Sequence, residues 1–274
     1  MIQFNRLFRR HTALPSDHGS WVFLLSPLLV GLLADGRWST VTIYVVVAAL
    51  CGFLVRQPVA VAIKAYSGRR PRSDLPAAYF WIVVYSLIGL LHVLGLVLRG
   101  FGYVLYLALP GLPILAWYLF LVARRAERQL AVELVGSGVL ALSAPAALWV
   151  DGGGPDPRGW WLWVLIWSQS AASIVYIHLR LEQRRGRNLP ARRGSVRMRR
   201  RALLYSSFNL IAAAALSALG LLPALLPLPY ALQWLETGWG TLFPAGAVAP
   251  QRIGSRQLLV SVLFTILFLL AWRA

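Results

Sequence analysis

The chain has 274 residues, 58% hydrophobic and 13% charged. That leaves too few polar groups to clothe a soluble domain of this length, in which about a quarter of residues are charged. The formal charge of +18 would suit nucleic acid, but the arginines sit in short connections between apolar runs, which is a topological pattern and not a phosphate-binding face.

Hydropathy predicts nine helical spans in chain order, at about 18–34, 39–60, 77–98, 102–123, 130–150, 160–180, 202–220, 223–243 and 257–273. Unbroken apolar runs do not alternate as barrel strands do, and hydrocarbon offers no partner for open backbone groups, so the spans are helical. The expected fold is all-α, a polytopic integral membrane protein with one transmembrane domain over 1–274. Arg6, Arg9 and Arg10 precede the first apolar run without a small-residue cleavage site, so that run is expected to be an uncleaved first helix. The single cysteine, Cys51, lies inside an apolar run and allows neither an intramolecular disulfide nor a thiolate metal cluster.

Positive charge concentrates in every second connection. One side carries Arg6, Arg9 and Arg10; Lys64, Arg69, Arg70 and Arg72; Arg124, Arg125 and Arg128; ten arginines from Arg180 to Arg201; and Arg252 and Arg256. The other side has Arg37, Arg99, Arg158 and Arg273. The charge-rich side is the one retained in the cytoplasm, so the N-terminus is expected inside and the C-terminus outside the inner membrane. The connection Asp151–Arg158, rich in glycine and proline, reads as a solvated turn, and its glycines lack the Gly-Lys-Ser/Thr of a phosphate cradle. Pro223, Pro227 and Pro229 in the eighth span predict a bend there, because proline removes a backbone donor.

Ionisable groups within spans are expensive and mark functional candidates. His18 opens the first span, Arg56 and Gln57 lie near the inner end of the second with Lys64 beyond, Glu133 opens the fifth, and His178 closes the sixth. Gln169, Ser173, Tyr176 and Arg180 recur at helical spacing and give the sixth span a polar stripe. Glu236 lies on the eighth span, Asn209 on the seventh, and Arg252, Arg256 and Gln257 at the start of the ninth. The expectation is one cytoplasm-facing basic and polar pocket, whose arginines attract an anion through paired hydrogen bonds. His92 is expected to be a packing residue. The histidines show no ligand spacing, no Asp-x-x-Asp or Asp-x-x-x-Asp occurs, and no Gly-x-Ser-x-Gly marks a nucleophile, so neither metal nor cofactor is expected.

The elements Asp17-His18-Gly19-Ser20-Trp21 with Pro27 and Gly31, Arg56-Gln57-Pro58 to Lys64, Glu133 with Ser143-Ala144-Pro145, and Arg252-Ile253-Gly254-Ser255-Arg256-Gln257 resemble the YwiC-like family of bacterial membrane proteins. That family looks distantly similar to UbiA-type intramembrane prenyltransferases, which implies a nine-helix bundle around a cytoplasm-facing cavity. The magnesium-binding aspartate motifs of those enzymes are replaced here by Arg56, Gln57 and Lys64, then by His178 and Glu182. The resemblance therefore implies a lipid-binding or transferase-like protein for an anionic, lipid-soluble ligand such as an anionic lipid or isoprenoid. The alternatives are a transporter of a small anionic solute and a membrane assembly partner.

Overall fold

The computed structural model describes residues 10–15, 18–36, 39–124, 130–185, 193–246 and 248–274. Among these residues every regular element is a helix. They run α1 (Arg10–Ala13), α2 (His18–Ala34), α3 (Thr42–Tyr66), α4 (Leu75–Leu98), α5 (Ala108–Ala123), α6 (Leu130–Ala141), α7 (Ser143–Gly152), α8 (Pro157–Arg185), α9 (Arg193–Ala218), α10 (Pro227–Leu242) and α11 (Pro250–Arg273). Short 3-10 turns, Arg72–Asp74 and Gly102–Leu107, lead into α4 and α5. The all-α expectation holds, and the chain is a polytopic membrane protein. Arg6, Arg9, Asp17, Arg37, Arg125, Arg128, Arg187 and Arg192 lie outside the described residues, as do the side chains of Arg10 and His18.

Among the described residues seven helical segments are long and apolar enough to cross a membrane: Thr42–Tyr66, Arg72–Leu98, Gly102–Leu121, Leu130–Gly152, Pro157–Arg184, Val196–Ala218 and Pro250–Arg273. The other two expected spans correspond to α2, with 17 residues, and α10, with 16. At 1.5 Å per residue these rise only about 25 Å, less than a typical hydrocarbon core of about 30 Å.

The chain divides into two compact units, Met1–Trp163 and Val164–Ala274, with the boundary inside α8. In the first, α3 and α4 pack as neighbours through Val61, Ala62 and Ala78. A second apolar cluster joins Leu28 and Leu32 of α2 to Val45 of α3, Leu96 of α4, and Ala147 and Val150 of α7. The approach of α2 to α7 is set by Gly31, where a Cβ would fall onto the Ala144 carbonyl and come within 2.8 Å of its Cα. The expected fifth span is broken at Leu142 into α6 and α7. Pro145 supplies the reason: it has no N–H for the carbonyl one turn back, so the ladder is interrupted and restarts.

The connection after α7 is fastened by polar contacts. Gly153 takes φ 77° at the end of α7, a left-handed conformation that glycine adopts without strain. Trp149 Nε1 donates to the Asp156 carbonyl at 2.8 Å, and Thr42 donates to the Asp151 carboxylate. Arg158 forks to both oxygens of Asp35 at 3.0 Å and binds Asp156 through Nε and Nη2.

In the second unit α9 packs on α10 and α10 on α11. The predicted bend at the prolines does not arise from a helix interior. Helix α10 begins at Pro227, so Pro227 and Pro229 occupy its first turn, where the backbone N–H groups have no intrahelical acceptor to lose. Large apolar side chains such as Leu204, Phe208 and Ile211 on α9, like Val83, Leu87 and Leu90 on α4, remain exposed and give lipid-facing surfaces.

Two outcomes follow from this packing. Gly31→Val should lower stability by about 1–3 kcal/mol through overpacking against α7, whereas Gly52→Ala, with open space around its Cβ, should be neutral or slightly stabilising; thermal melts in detergent compare them. The Arg158 hydrogen bond holds the Asp156 carboxyl below its ordinary range. Because the folded-state value is the lower one, this contact stabilises the fold fully above the ordinary carboxylate range and is lost as pH falls through the native value. Asp156→Asn should therefore flatten the fall in Tm on acidification below about pH 4.

Candidate functional site in the second unit

Polar residues three and four apart lie on one helical face, and α8 repeats this spacing from Gln169 through Ser173, Tyr176 and Arg180 to Gln183. All five are buried. Helix α10 answers with Tyr230, Gln233, Glu236, Thr237 and Gly240, all buried as well. The closeness of the two helices is fixed at Gly240, where a Cβ would strike the Tyr176 ring.

The seam is layered. At one level Tyr230 donates to the Leu165 carbonyl at 2.9 Å. The next layer is built on glutamines: Gln169 Nε2 and Gln257 Nε2 both donate to Gln233 Oε1, at 3.0 and 3.1 Å. Gln257 Nε2 also reaches Ser173 Oγ at 2.8 Å, and Gln233 Nε2 donates to Thr237 Oγ1 at 3.2 Å.

One helical turn along, Glu236 accepts from Tyr176 OH at 2.7 Å and from Arg256 Nη2 at 2.7 Å. The Glu236 side chain is 8% exposed and that of Arg256 is 46% exposed, so the pair joins a buried carboxylate to a cation at the edge. In the last layer Arg180 Nη1 donates to the Gly240 and Phe243 carbonyls at 2.8 and 2.7 Å and to Gln183 Oε1 at 3.1 Å. Gln183 completes the closure, giving Nε2 to the Gly240 carbonyl and accepting from the Ala245 N–H. These two side chains satisfy backbone groups that the end of α10 leaves open.

Residues 14–148 match the family model described as YwiC-like protein. Over that segment, just under half of the chain, the sequence is similar to the YwiC-like family. Comparisons with curated proteins and with solved structures return no match. The YwiC-like segment contains His18, Arg56, Gln57, Lys64 and Glu133, and it ends before the layered seam begins.

The eleven residues singled out from sequence thus fall in both units. Gln169, Glu236, Arg256 and Gln257 enter the seam of the second unit. His178 is half-buried two residues past Tyr176, and Arg252 is exposed in the first turn of α11. In the YwiC-like segment, Arg56 holds its guanidinium 5.2 Å from the Phe53 ring centroid and 5.4 Å from that of Tyr118, a cation–π arrangement. Gln57 Nε2 donates to the His11 carbonyl, tying α3 to α1. Lys64 is half-buried near the end of α3, Glu133 is exposed on the first turn of α6, and α2 starts at His18. His92 Nδ1 donates to the Ile88 carbonyl of its own helix.

Gln233, Thr237 and Gln183 belong to the seam but were not singled out. The signal for the first two was present: Tyr230, Gln233, Thr237 and Gly240 repeat at the same spacing that revealed the stripe on α8. Among the described residues no three His, Cys, Asp or Glu side chains gather as metal ligands would. The seam offers amide, hydroxyl, carboxylate and guanidinium groups, a set suited to hydrogen-bonding a polar head.

Stability separates the seam from its exposed neighbour. Arg180→Met, which removes the donor to the Phe243 carbonyl and one of the two donors to the Gly240 carbonyl, should cost about 1.5–3 kcal/mol, while Arg252→Gln should change stability by less than about 0.5 kcal/mol. Unfolding in mixed micelles would measure both, and equal costs would contradict the role given to Arg180.

Proposed function

We propose that the protein is an inner-membrane protein, with its N-terminus cytoplasmic and its C-terminus external, that binds an anionic, lipid-soluble ligand beside the seam of the second unit. The supporting observation is Arg256. Its guanidinium anchors to buried Glu236 through one nitrogen while nearly half of the side chain stays exposed, so further N–H donors face outward, available to an anion. A guanidinium carries five such donors in a fixed fork that matches phosphate or carboxylate. Glu236 holds that fork in place from behind and is itself held by Tyr176. The expected similarity to UbiA-type enzymes belongs to this reading, in which cationic side chains would hold the anionic head that those enzymes hold through magnesium.

A second reading, transport of a small anionic solute, draws on a different observation. Polar side chains on α8 run from Gln169 to Gln183, about 21 Å of helix inside an apolar span, and such interiors are found along solute pathways. Uptake of a labelled anion into proteoliposomes would support transport over retention.

Native mass spectrometry of the detergent-purified protein tests the first reading. Wild type and Arg252→Ala should retain a stoichiometric anionic lipid or isoprenoid, and Arg256→Ala should lose at least about nine-tenths of it, as expected when a charge-assisted contact is removed. Equal retention of bulk phospholipid by all three would overturn it.

A further inference from the structure

Gln169 Oε1 and Gln257 Oε1 are buried and have no hydrogen-bond partner among the described residues. Their residues are 5% and 3% exposed, and Gln233 between them is 1% exposed. Burying an amide oxygen without a donor is costly, so such atoms in a folded protein call for an explanation.

Turning the amides over does not remove the problem. Both Nε2 groups point at one oxygen, Gln233 Oε1, and Gln257 Nε2 also serves Ser173. Flipping either amide would set oxygen against oxygen and leave its Nε2 without these acceptors. Turned together, the three amides form the reverse arrangement, in which Gln233 Nε2 donates to Gln169 and Gln257, Gln233 Oε1 accepts from the Thr237 hydroxyl, and the Nε2 groups of Gln169 and Gln257 are left open. Either way one amide atom on Gln169 and one on Gln257 stay open, and a hydroxyl meets both arrangements because it donates and accepts.

Charge decides what kind of donor. The ionised groups nearest the layer are Glu236 with Arg256, one turn away, and Arg180 beyond them, two cations against one carboxylate. A metal cation or an ammonium beside the amides would have no compensating negative charge in a low-dielectric surrounding, whereas a neutral hydroxyl carries no such penalty. Arg256 and Gln257 are consecutive on α11, and the two layers lie one helical turn apart, about 5 Å.

We infer that the ligand carries two hydroxyl groups within about 5 Å of its anionic centre, and that Gln169 and Gln257 each bond one of them while Arg256 holds the anion. This deepens the binding reading given above and rests on it. The chemistry is that of a glycerophosphate, either as a lipid headgroup or as a free phosphate ester. Both amide groups are enclosed by the seam, so the hydroxyls enter by a swing of the glutamine side chains, which the open amide atoms favour.

The test compares anions that carry the glycerol hydroxyls with anions that lack them. Phosphatidylglycerol and phosphatidylmethanol of matched chains form the lipid pair, and glycerol 3-phosphate and methyl phosphate form the free pair. Each is titrated onto the full-length protein, the lipids in nanodiscs of neutral phosphatidylcholine. Wild type should bind the hydroxylated member of one pair about tenfold or more tightly, the equivalent of two added hydrogen bonds. The pair that discriminates identifies the source as lipid or solute. Gln169→Met and Gln257→Met, made singly, should each shrink the preference severalfold, read as the ratio of the two affinities within a pair.

Equal affinity within both pairs would overturn the inference and assign the amide oxygens to a structural water only, while leaving the anion reading intact. A preference that survives in both glutamine variants would overturn it as well. If wild type binds no anion in either pair, the anion reading itself falls and takes the inference with it. The wild-type comparison needs no variant, so the inference stays exposed to failure even if a glutamine variant does not fold.

Discussion

Hydrocarbon offers neither donors nor acceptors, so a polar group buried within a membrane protein must find its partner in the protein itself. The second unit meets this constraint by turning the polar face of α8 toward α10 and α11. The contacts repeat with the helical period, so the same spacing that places Gln169, Ser173, Tyr176 and Arg180 on one face also sets the layers. Gly240 permits the approach, and Arg180 with Gln183 closes the end of α10. A short helix whose last carbonyls are satisfied by a neighbour can end inside protein, which a helix dependent on water could not do.

The first unit meets the same constraint by other means. Its helices approach through small residues, Gly31 against Ala144 and Ala62 near Ala78, and some of its cations lie on aromatic faces, as Arg56 does on Phe53 and Tyr118. Backbone carbonyls take up what remains, with Gln57 reaching His11 and Tyr85 reaching Ala13. This is the part of the chain that matches the YwiC-like family, whereas the layered seam lies beyond the matched residues.

Much of the fold was legible because apolar run length is a direct record of the bilayer. The runs that became α3, α4 and α8 are long and uninterrupted, and nothing local competes with them. Where the reading departed, proline was the cause. Pro227 and Pro229 looked interior because the apolar run begins before them, but the helix starts at Pro227, and only the backbone distinguishes a first-turn proline from a kink. Pro145 was quoted for family resemblance, yet its effect is mechanical, dividing a run that hydropathy treats as continuous. In the site, the α8 stripe was visible because four polar residues repeat within an apolar span. The partner stripe on α10 was harder to see because Tyr230 and Gly240 do not register as polar, although both serve the contact. Periodicity also could not distinguish Arg256, which reaches a buried carboxylate, from Arg252, one turn earlier and exposed.

The central claim is that the glutamine layer acts as one cooperative unit joining α10 to α11. A double-mutant cycle between Gln233→Leu and Gln257→Leu, read from reversible unfolding in bicelles, tests it most directly. The account predicts a coupling energy of at least about 1 kcal/mol, since either single change already removes the shared bond and leaves its partner stranded. Additive effects, within about 0.3 kcal/mol, would mean that the two side chains act independently and would contradict the account.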